Sequence, residues 1–466
     1  MHYRCGRRRP LLGADEMADL TELAERTVKF VTTLGASHCD VLVADSTHIV
    51  AEIEKSSMKQ ASEISDIGIG IRAFKNGCSG FAYSTGHDFD VIKRVAKLAM
   101  SQARAGTPDP DFKDLPEPKR SSKVSGLFDK RVASLEPDDV VEMAISLSDS
   151  ASADKRIASV NAGVGIGWGE AALANSNGIS NFQKMTAFET SAEAVAKSGK
   201  NMSSAMDAGS TRQLDLDMIE RVGVKAKEHA LMGLKQTRLS TGDFPVIFDP
   251  LSIGFILLSS IGGGANAESV QRKRSYLAGR LGQSIGSPLL TVKDDPTLAW
   301  SSGSYSFDGE GVPAKRNLLV DGGELRSYLY DSYTSGKESV ENTGNASRGG
   351  ALWGFRRPPS ISCSNLVVEG GDFPLDEMVR ETGRGVFLRT TFDYPNLATG
   401  EFSGLMMESY LIEKGEIGPS LKQSTIGINL IDMFSRIDMV GKDVTDAFGV
   451  RTPPLRISSA RIAGSA

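Results

Sequence analysis

The segment 307–317, FDGEGVPAKRN, places two acidic residues, two basic residues and two glycines within eleven positions. Its carboxylates, Asp308 and Glu310, could serve as a general acid and a general base. At positions i and i+2 beside glycines, however, they are expected to lie on a turn with access to water. An EF-hand loop needs oxygen ligands up to a twelfth-position glutamate, and Lys315 and Arg316 stand there instead. The segment is therefore predicted to connect strands at a sheet edge.

Histidine, the usual base beside a nucleophile, is scarce in this chain. There are five histidines, the last at position 229, so the C-terminal half contains no imidazole. The stretch 282–286, GQSIG, matches a nucleophile elbow, but that motif needs a preceding strand and a later histidine. Cys39 directly follows His38, and adjacent residues on a strand point to opposite faces. These patterns support neither a serine nor a cysteine nucleophile.

The overall composition is that of an ordinary globular protein. A chain of 466 residues is too long for one core and favours two or more domains. The net charge of −5 gives no electrostatic footprint for nucleic acid, and no apolar run approaches the roughly 20 residues of a membrane span. The four cysteines show no C-x-x-C spacing, which indicates a reducing compartment. A cytoplasmic protein without nucleic-acid or membrane partners is expected.

The elements that must position these residues differ between the two halves. Helical spacing in the N-terminal half follows a capping box at Asp19 and recurs at 88–106, 136–151 and 216–234. Two segments with alternating glycines, IGIGI and GVGIGWG, are each followed by an Asn-Gly pair that favours a tight hairpin turn. Alternating glycines leave one sheet face bare, so another element can approach the backbone closely. Paired antiparallel hairpins are predicted in preference to a dinucleotide-binding loop.

Short strand-like runs dominate the second half, with few helices predicted, chiefly at 250–261, about 265–282 and 374–383. The chain is therefore predicted to be α+β, with an N-terminal domain of antiparallel hairpins and helices at 17–238. A sheet-rich C-terminal domain is expected at 239–466. Met17 directly precedes the first helix signal, so residues 1–16 are predicted to be a disordered extension or to follow from a misassigned start.

Longer motifs make the sequence recognisable. DGEGVPAKRNLLVDGGELRSYLYDSYTSG, ENTGNASRGG, SNLVVEGGD and ESYLIEKGEI follow one another in the second half, and GIGIRAFKNGCSGFA and ANSNGIS stand in the first. In content and order these motifs resemble the TldD/PmbA family of peptide-processing proteins. The resemblance covers nearly everything from about residue 18 onward.

The resemblance implies one of two kinds of subunit. TldD-like members carry H-E-x-x-x-H on a helix of the C-terminal domain and a cysteine near the end, which together hold zinc. The corresponding helix here offers Phe255, Leu258, Ser259 and Ile261, and the tail lacks the cysteine. The chain therefore resembles the PmbA (TldE) subunit. That likeness implies no metal or cofactor in this chain, with zinc in a TldD-like partner subunit.

The resemblance also implies a heteromeric cytoplasmic protease that takes unfolded or leader-bearing precursor peptides into an internal chamber and binds them by strand addition. It leaves open whether the isolated chain forms a homodimer. No catalytic residue is expected. The residues expected to bind peptide or contact the partner are Asp308, Glu310, Arg316, Tyr330, Asn345 and Arg348. Two alternatives remain: a metal-independent peptidase using Ser284 or a carboxylate pair, and a protein-binding regulator of the kind labelled "modulator of DNA gyrase".

Overall fold

The computed structural model describes residues 14–350, 354–447 and 449–464, so most of the predicted extension, residues 1–16, lies outside the described residues. Helix α1 spans Ala14–Thr33. The start predicted at Asp19 is wrong, because alanine, glutamate and methionine at 14–18 are good helix formers and continue the helix upstream.

The N-terminal half forms an antiparallel sheet in the order β3-β2-β1-β4-β5-β6. Its strands are β1 (His38–Glu54), β2 (Ser57–Lys75), β3 (Cys78–Thr85), β4 (Ile157–Asn175), β5 (Ser180–Ser198) and β6 (Asn201–Thr211). The predicted turns join β2 to β3 and β4 to β5, with Gly77 and Gly178 at φ 77° and 103°. Glycine tolerates this left-handed backbone, which is why Asn-Gly pairs close such hairpins.

Helices cover one face of this sheet. They are α1, α2 (Phe89–Ala105), α3 (Lys130–Ala133), α4 (Pro137–Ser152) and α5 (Leu216–Met232), and α2, α4 and α5 lie where the helical spacing predicts them. Side chains alternate across a strand, so Val41 and Val43 of β1 pack under α1 and α2, whereas Leu42 and Ala44 face the other way. That second face receives residues of the C-terminal half.

The C-terminal half is rich in short strands. They are β7 (Gln236–Thr237), β8 (Gly242–Phe248), β9 (Val292–Asp294), β10 (Asn317–Asp321), β11 (Glu324–Leu325), β12 (Ala346–Ser347), β13 (Ser360–Ile361), β14 (Leu366–Val368), β15 (Arg384–Thr390), β16 (Glu401–Leu405), β17 (Glu408–Glu413), β18 (Glu416–Leu421), β19 (Thr425–Asn429), β20 (Ile437–Val440), β21 (Thr445–Ala447), β22 (Val450–Thr452) and β23 (Leu455–Ala463). The larger sheet runs β16-β19-β23-β8-β15-β17-β18-β7, and a second runs β11-β10-β9-β14-β22-β21. One large apolar core lies between these sheets and the short helices.

Helices in this half are short. They are α6 (Pro250–Leu257), continued by a π-helical turn (Leu258–Gly262), then α7 (Ala267–Gln271), α8 (Ser332–Glu338), α9 (Leu375–Thr382) and α10 (Leu430–Ser435). The long helix predicted at about 265–282 is wrong. Only α7 forms there, because the chain takes left-handed backbone at Lys273, Gly279 and Gly282. Within the part of the chain that the structure describes, no helix combines the length and apolarity needed to cross a membrane.

The fold is α+β, as predicted, with mostly antiparallel sheets. Strand β7, which falls inside the predicted N-terminal domain, pairs with β18 of the larger C-terminal sheet. The boundary between 238 and 239 stays a prediction.

Candidate functional site at the junction of the two halves

The bare glycine face of β2 is where the C-terminal half meets the N-terminal sheet. A Cβ built on Gly70 would lie 2.3 Å from the carbonyl oxygen of Phe355, and one on Gly68 would lie 2.3 Å from the Phe355 ring. The expectation that another element approaches this face is therefore confirmed. On β4, Gly165 is looser, since its Cβ would have its nearest neighbour, in Val50, at 3.9 Å, whereas a Cβ on Gly167 would lie 2.8 Å from the His48 ring.

The segment 307–317 forms a tight turn against this same face. The Asp308 N–H donates to the carbonyl of Val312 at 2.9 Å, and Phe307 pairs with Pro313 in a β-bridge. Gly311 has φ 87°, and a Cβ there would lie 2.8 Å from Ile179 of the N-terminal half. The turn thus presses directly onto the N-terminal sheet.

The two carboxylates of this turn are buried, which corrects the expectation of water access. Asp308 and Glu310 are each 2% exposed, because the N-terminal sheet covers the turn. Asp308 accepts hydrogen bonds from the backbone N–H groups of Glu310, Val312 and Ala346, each at 2.9 Å. Glu310 accepts one from the Ser332 N–H at 2.9 Å. Both side chains are therefore held by the protein itself.

Glu310 belongs to a buried ion cluster that joins the two halves, here called the junction cluster: Asp40, Arg72, Glu310 and Arg348. Arg72 contacts Asp40 at 2.5 Å and Glu310 at 2.7 Å. Arg348 contacts the other Asp40 oxygen at 2.5 Å and donates from Nε to the carbonyl of Gly309 at 2.8 Å. Burial opposes the charge of Asp40, but Arg72 and then Arg348 hold its pKa below the ordinary value. Asp40 therefore stays ionised, and the cluster links β1 and β2 to residues far along the chain.

Asp308, beside this cluster, has a different electrostatic setting. Burial, and then the charge of Glu310, raise the pKa of Asp308 to about 7. A carboxyl group with such a pKa exchanges its proton near neutral pH, as general acids and bases do. Its oxygens are nevertheless occupied by backbone donors, which favours a structural role.

The raised pKa of Asp308 predicts a pH-dependent stability. In the unfolded chain this carboxyl titrates near pH ~4, so the folded state holds the proton more tightly. Its contribution to stability is full below that pH and is lost as the pH rises through about 7. Asp308→Asn removes this dependence. Urea unfolding gives the free energy of unfolding of the variant and of the wild type at about pH 5 and about pH 8. The variant value minus the wild-type value should increase by ~1 kcal/mol or more between these two pH values. An unchanged difference would contradict the shift.

The other predicted site residues lie apart from the junction cluster. Asn345 is buried and donates to Asp294 Oδ2 at 2.7 Å. The Arg316 side chain is 60% exposed and pairs with Asp295 at 2.7 Å. The Tyr330 hydroxyl donates to Glu338 at 2.8 Å. Of the six residues, Asp308, Glu310 and Arg348 come together at the turn, and Asn345 lines one cavity together with Asp308 and Arg348.

Sequence reasoning missed Asp40 and Arg72. They stand opposite each other in the β1–β2 pairing. Arg72 follows Gly68 and Gly70 at two-residue intervals, so it lies on the bare glycine face. Arg72 shares a strand face with two glycines that allow another element to pack closely. An element that covers those glycines also buries the arginine, so the sequence could have indicated a buried ion pair here.

A second buried cluster crosses the junction and was also missed. Arg389 is 2% exposed, contacting Glu408 at 2.5 Å and Asp207 at 2.7 Å. It also donates to the carbonyl of Met206, whose N–H donates to Glu408 at 2.9 Å. Strand β6 is thereby fixed to β15 and β17.

The helix that the resemblance aligns with the zinc site of TldD-like members is α6 with its π-helical turn. Phe255 packs against Phe392 and Tyr394, with ring centroids 5.5 and 4.9 Å apart. The Ser259 hydroxyl donates to the carbonyl of Phe255 within the same helix. Zinc needs thiolate, imidazole or carboxylate ligands, which these side chains do not supply. In the described ranges, no three His, Cys, Asp or Glu residues are grouped so as to hold a metal ion. The residues at this helix do not fit zinc.

Three adjoining cavities, of about 620, 530 and 410 Å³, run along the junction and are here called the junction groove. The first shares Ser204 and Met407 with the second, and shares Glu52, Gly163 and Ser191 with the third. The groove therefore runs between the N-terminal sheet and the strands that carry Arg389 and Glu408.

Strand β6 borders the groove as the outermost strand of its sheet. The Met206 N–H points away from β5, because it donates to Glu408. N–H groups alternate in direction along a strand, so those of Met202 and Ser204 point to the same outer side. Both residues are exposed and line the groove. An extended peptide placed here could add to the sheet as a further strand.

Comparisons with known proteins agree with the motifs. Family models match at 39–103, "PmbA/TldA metallopeptidase domain 1", at 130–234, the central domain, and at 241–464, the C-terminal domain. "Metalloprotease PmbA" of Escherichia coli O157:H7 is 27% identical, covering 95% of this chain and 96% of its own length. "Metalloprotease TldD homolog" of Buchnera aphidicola from Acyrthosiphon pisum is 26% identical, covering 84% and 82%.

The fold is also similar to a solved structure, that of TldE from Thermococcus kodakarensis. The TM-score is 0.87 at 24% sequence identity, and the match covers 95% of this chain and all of that one. Family models that together span most of the sequence, in the order of the motifs, establish the assignment. The chain belongs to the PmbA/TldD metallopeptidase family.

Proposed function

We propose that this chain is the non-catalytic, peptide-binding subunit of a cytoplasmic metalloprotease complex, paired with a zinc-bearing TldD-like subunit. The observation that carries the proposal is the aromatic packing of Phe255 with Phe392 and Tyr394 on the helix that holds the metal motif in TldD-like members. Carbon-rich side chains there cannot activate water, so the hydrolytic step is assigned to the partner. The name of the Escherichia coli relative, a metalloprotease PmbA, supports the subunit type.

The proposed substrate is an extended, unfolded or leader-bearing precursor peptide bound in the junction groove. The outer edge of β6 offers main-chain groups, which accept varied sequences because backbone hydrogen bonds do not read side chains. Met202 and Met407 supply flexible apolar contacts on the groove walls, a property suited to many partners. Under this proposal, Arg389 holds β6 to β15 and β17 and so fixes the spacing of the groove walls. The junction cluster does not touch the peptide, because none of its residues lines the groove.

The proposal is tested by steady-state cleavage of an unstructured peptide. The chain alone, a TldD-like zinc subunit from the same organism alone, and their mixture are compared, with assembly followed by native mass spectrometry. Efficient cleavage is expected only for the mixture. Cleavage by this chain alone, in the presence of a zinc chelator, would overturn the non-catalytic assignment and favour the metal-independent peptidase.

Ser204→Pro is expected to weaken peptide binding about three- to tenfold, because it removes one outward N–H worth roughly 0.5–1.5 kcal/mol. Proline is tolerated at an edge strand where the N–H does not enter the ladder, so the fold should persist. Ser204→Ala, which keeps the N–H, is the matched control and should bind like the wild type. Fluorescence anisotropy with a labelled peptide measures both. Equal affinity of the two variants would place the peptide elsewhere.

A further inference from the structure

A smaller cavity, of about 210 Å³, lies between the two halves beside the 307–317 turn. Two buried arginines line it, Arg212 and Arg348, and the cavity is here called the arginine cavity. Its lining also includes the exposed residues Gly349, Gly350 and Ser362, which give access from solvent. None of these residues belongs to the junction groove.

Arg212 is 3% exposed, and three backbone carbonyls satisfy only part of its donor set. It donates to the carbonyls of Thr186, Ser302 and Ser304 at 2.7–2.9 Å. Its Nε is buried without a hydrogen-bond partner. Among the described residues, no carboxylate lies within ion-pair distance of Arg212, and burial lowers its pKa to about 10. A buried cation without a counter-ion is costly, and a bound anion would offset that cost.

Arg348 also has a donor group without an acceptor, despite its contact with Asp40. Its side chain is fully buried, and the Nη1 atom has no hydrogen-bond partner. Asp308 also lines the cavity, but three backbone N–H groups occupy its oxygens and its pKa is raised to about 7. Because Asp40 balances the charge of Arg348, the uncompensated charge beside the cavity is mainly that of Arg212.

The size of the cavity restricts what can enter it. At about 210 Å³ it is below the roughly 300–1,000 Å³ of ordinary ligand pockets, so one small group fits and a folded ligand does not. Guanidinium N–H donors match carboxylate and phosphate oxygens in geometry and charge. We propose that the arginine cavity binds a small oxyanion, a carboxylate or a phosphate group, as the counter-ion of Arg212 and the acceptor for Arg348.

Two sources could supply this oxyanion. One is a free ion or metabolite with a phosphate group. The other is the C-terminal carboxylate of a peptide, a source that rests on the proposed function. A single hydroxyl contact, Ser210 Oγ to Ser302 Oγ at 3.3 Å, connects the linings of the groove and the cavity, since Ser210 lines one and Ser302 lines the other.

Isothermal titration of the full chain with inorganic phosphate and with acetate, at constant ionic strength, tests the proposal. At least one should bind saturably with Kd on the order of 1 mM or tighter, as two charge-assisted hydrogen bonds in a buried site allow. Arg212→Met should weaken that binding at least about tenfold. A short peptide with a free C-terminus is then compared with its C-terminal amide. Preference for phosphate indicates the free ion, and preference for the free C-terminus indicates the peptide.

Ser362→Asp provides a test that does not disturb the buried arginines. Ser362 is exposed in the lining of the cavity, so the added charge should repel an oxyanion about three- to tenfold without unfolding the chain. Ser362→Asn is the neutral control of nearly the same size. The proposal is overturned if neither ion binds the wild type, or if Ser362→Asp and Ser362→Asn bind equally. Cleavage by the assembled complex is measured separately, so the proposed function can be disproved while the oxyanion site is confirmed, and the reverse.

Discussion

Replacement of Arg348 by alanine is expected to lower the free energy of unfolding by about 3–5 kcal/mol. The guanidinium is buried, contacts Asp40 at 2.5 Å and donates to the carbonyl of Gly309 at 2.8 Å. Truncation leaves part of a buried carboxylate and a buried carbonyl unsatisfied, while Arg72 alone remains to balance Asp40 and Glu310. Urea unfolding at neutral pH measures the loss.

The size of this effect depends on burial, so an exposed ion pair is the appropriate control. Arg461 pairs with Asp243 at 3.4 Å, and both side chains are about 60% exposed. Arg461→Ala should therefore cost less than ~1 kcal/mol. Arg348→Lys should recover little of the lost stability, because an ammonium cannot span both acceptors as the planar guanidinium does. A loss at Arg348 no larger than that at Arg461 would show that the junction cluster contributes nothing.

Gly70→Ala is expected to cost roughly 1–3 kcal/mol, because the new Cβ would lie 2.3 Å from the backbone oxygen of Phe355. No side-chain rotation relieves a contact with backbone, so the C-terminal half must move away from β2. Thermal unfolding should show a lower Tm. Limited proteolysis should show faster cleavage near the junction, since a displaced C-terminal half exposes its connections.

Gly165→Ala is the matched control on the corresponding strand, β4. Its Cβ would lie 3.9 Å from Val50, an ordinary contact, and the residue is not in left-handed backbone. That substitution should be neutral or stabilising by up to about 1 kcal/mol, because alanine reduces the entropy of the unfolded chain. If Gly70→Ala and Gly165→Ala lower the stability equally, the close approach of Phe355 does not explain why glycine is needed at position 70.

The glycine pattern shows how far sequence reasoning reached. Alternation at Gly68 and Gly70 predicts a strand with a bare face, and the local rule holds because a two-residue period is a property of the strand itself. What covers that face could not be predicted. Phe355 lies more than 280 residues away, and no local propensity encodes such a contact.

The burial of Asp308 and Glu310 could not be predicted from the sequence either, because it also depends on a contact between distant segments. Two carboxylates beside glycines suggest a solvated turn, and only the N-terminal sheet packed on them reverses that expectation. The six candidate residues were chosen from motifs that adjoin in sequence. Three of them meet in space, and the residues that complete the cluster, Asp40 and Arg72, come from the other half of the chain.

The junction cluster also sets an order of events during biosynthesis. Asp40 and Arg348 are 308 positions apart, so the ribosome must add that many residues before the ion pair can form. At about 5–20 residues per second, the glycine face of β2 and its arginine stay uncovered for roughly 15–60 s. During that interval the nascent N-terminal half exposes Leu42, Ala44 and the backbone at the glycines of β2 to other chains. Synthesis of this protein therefore includes a period in which a chaperone that shields one sheet face would raise the yield.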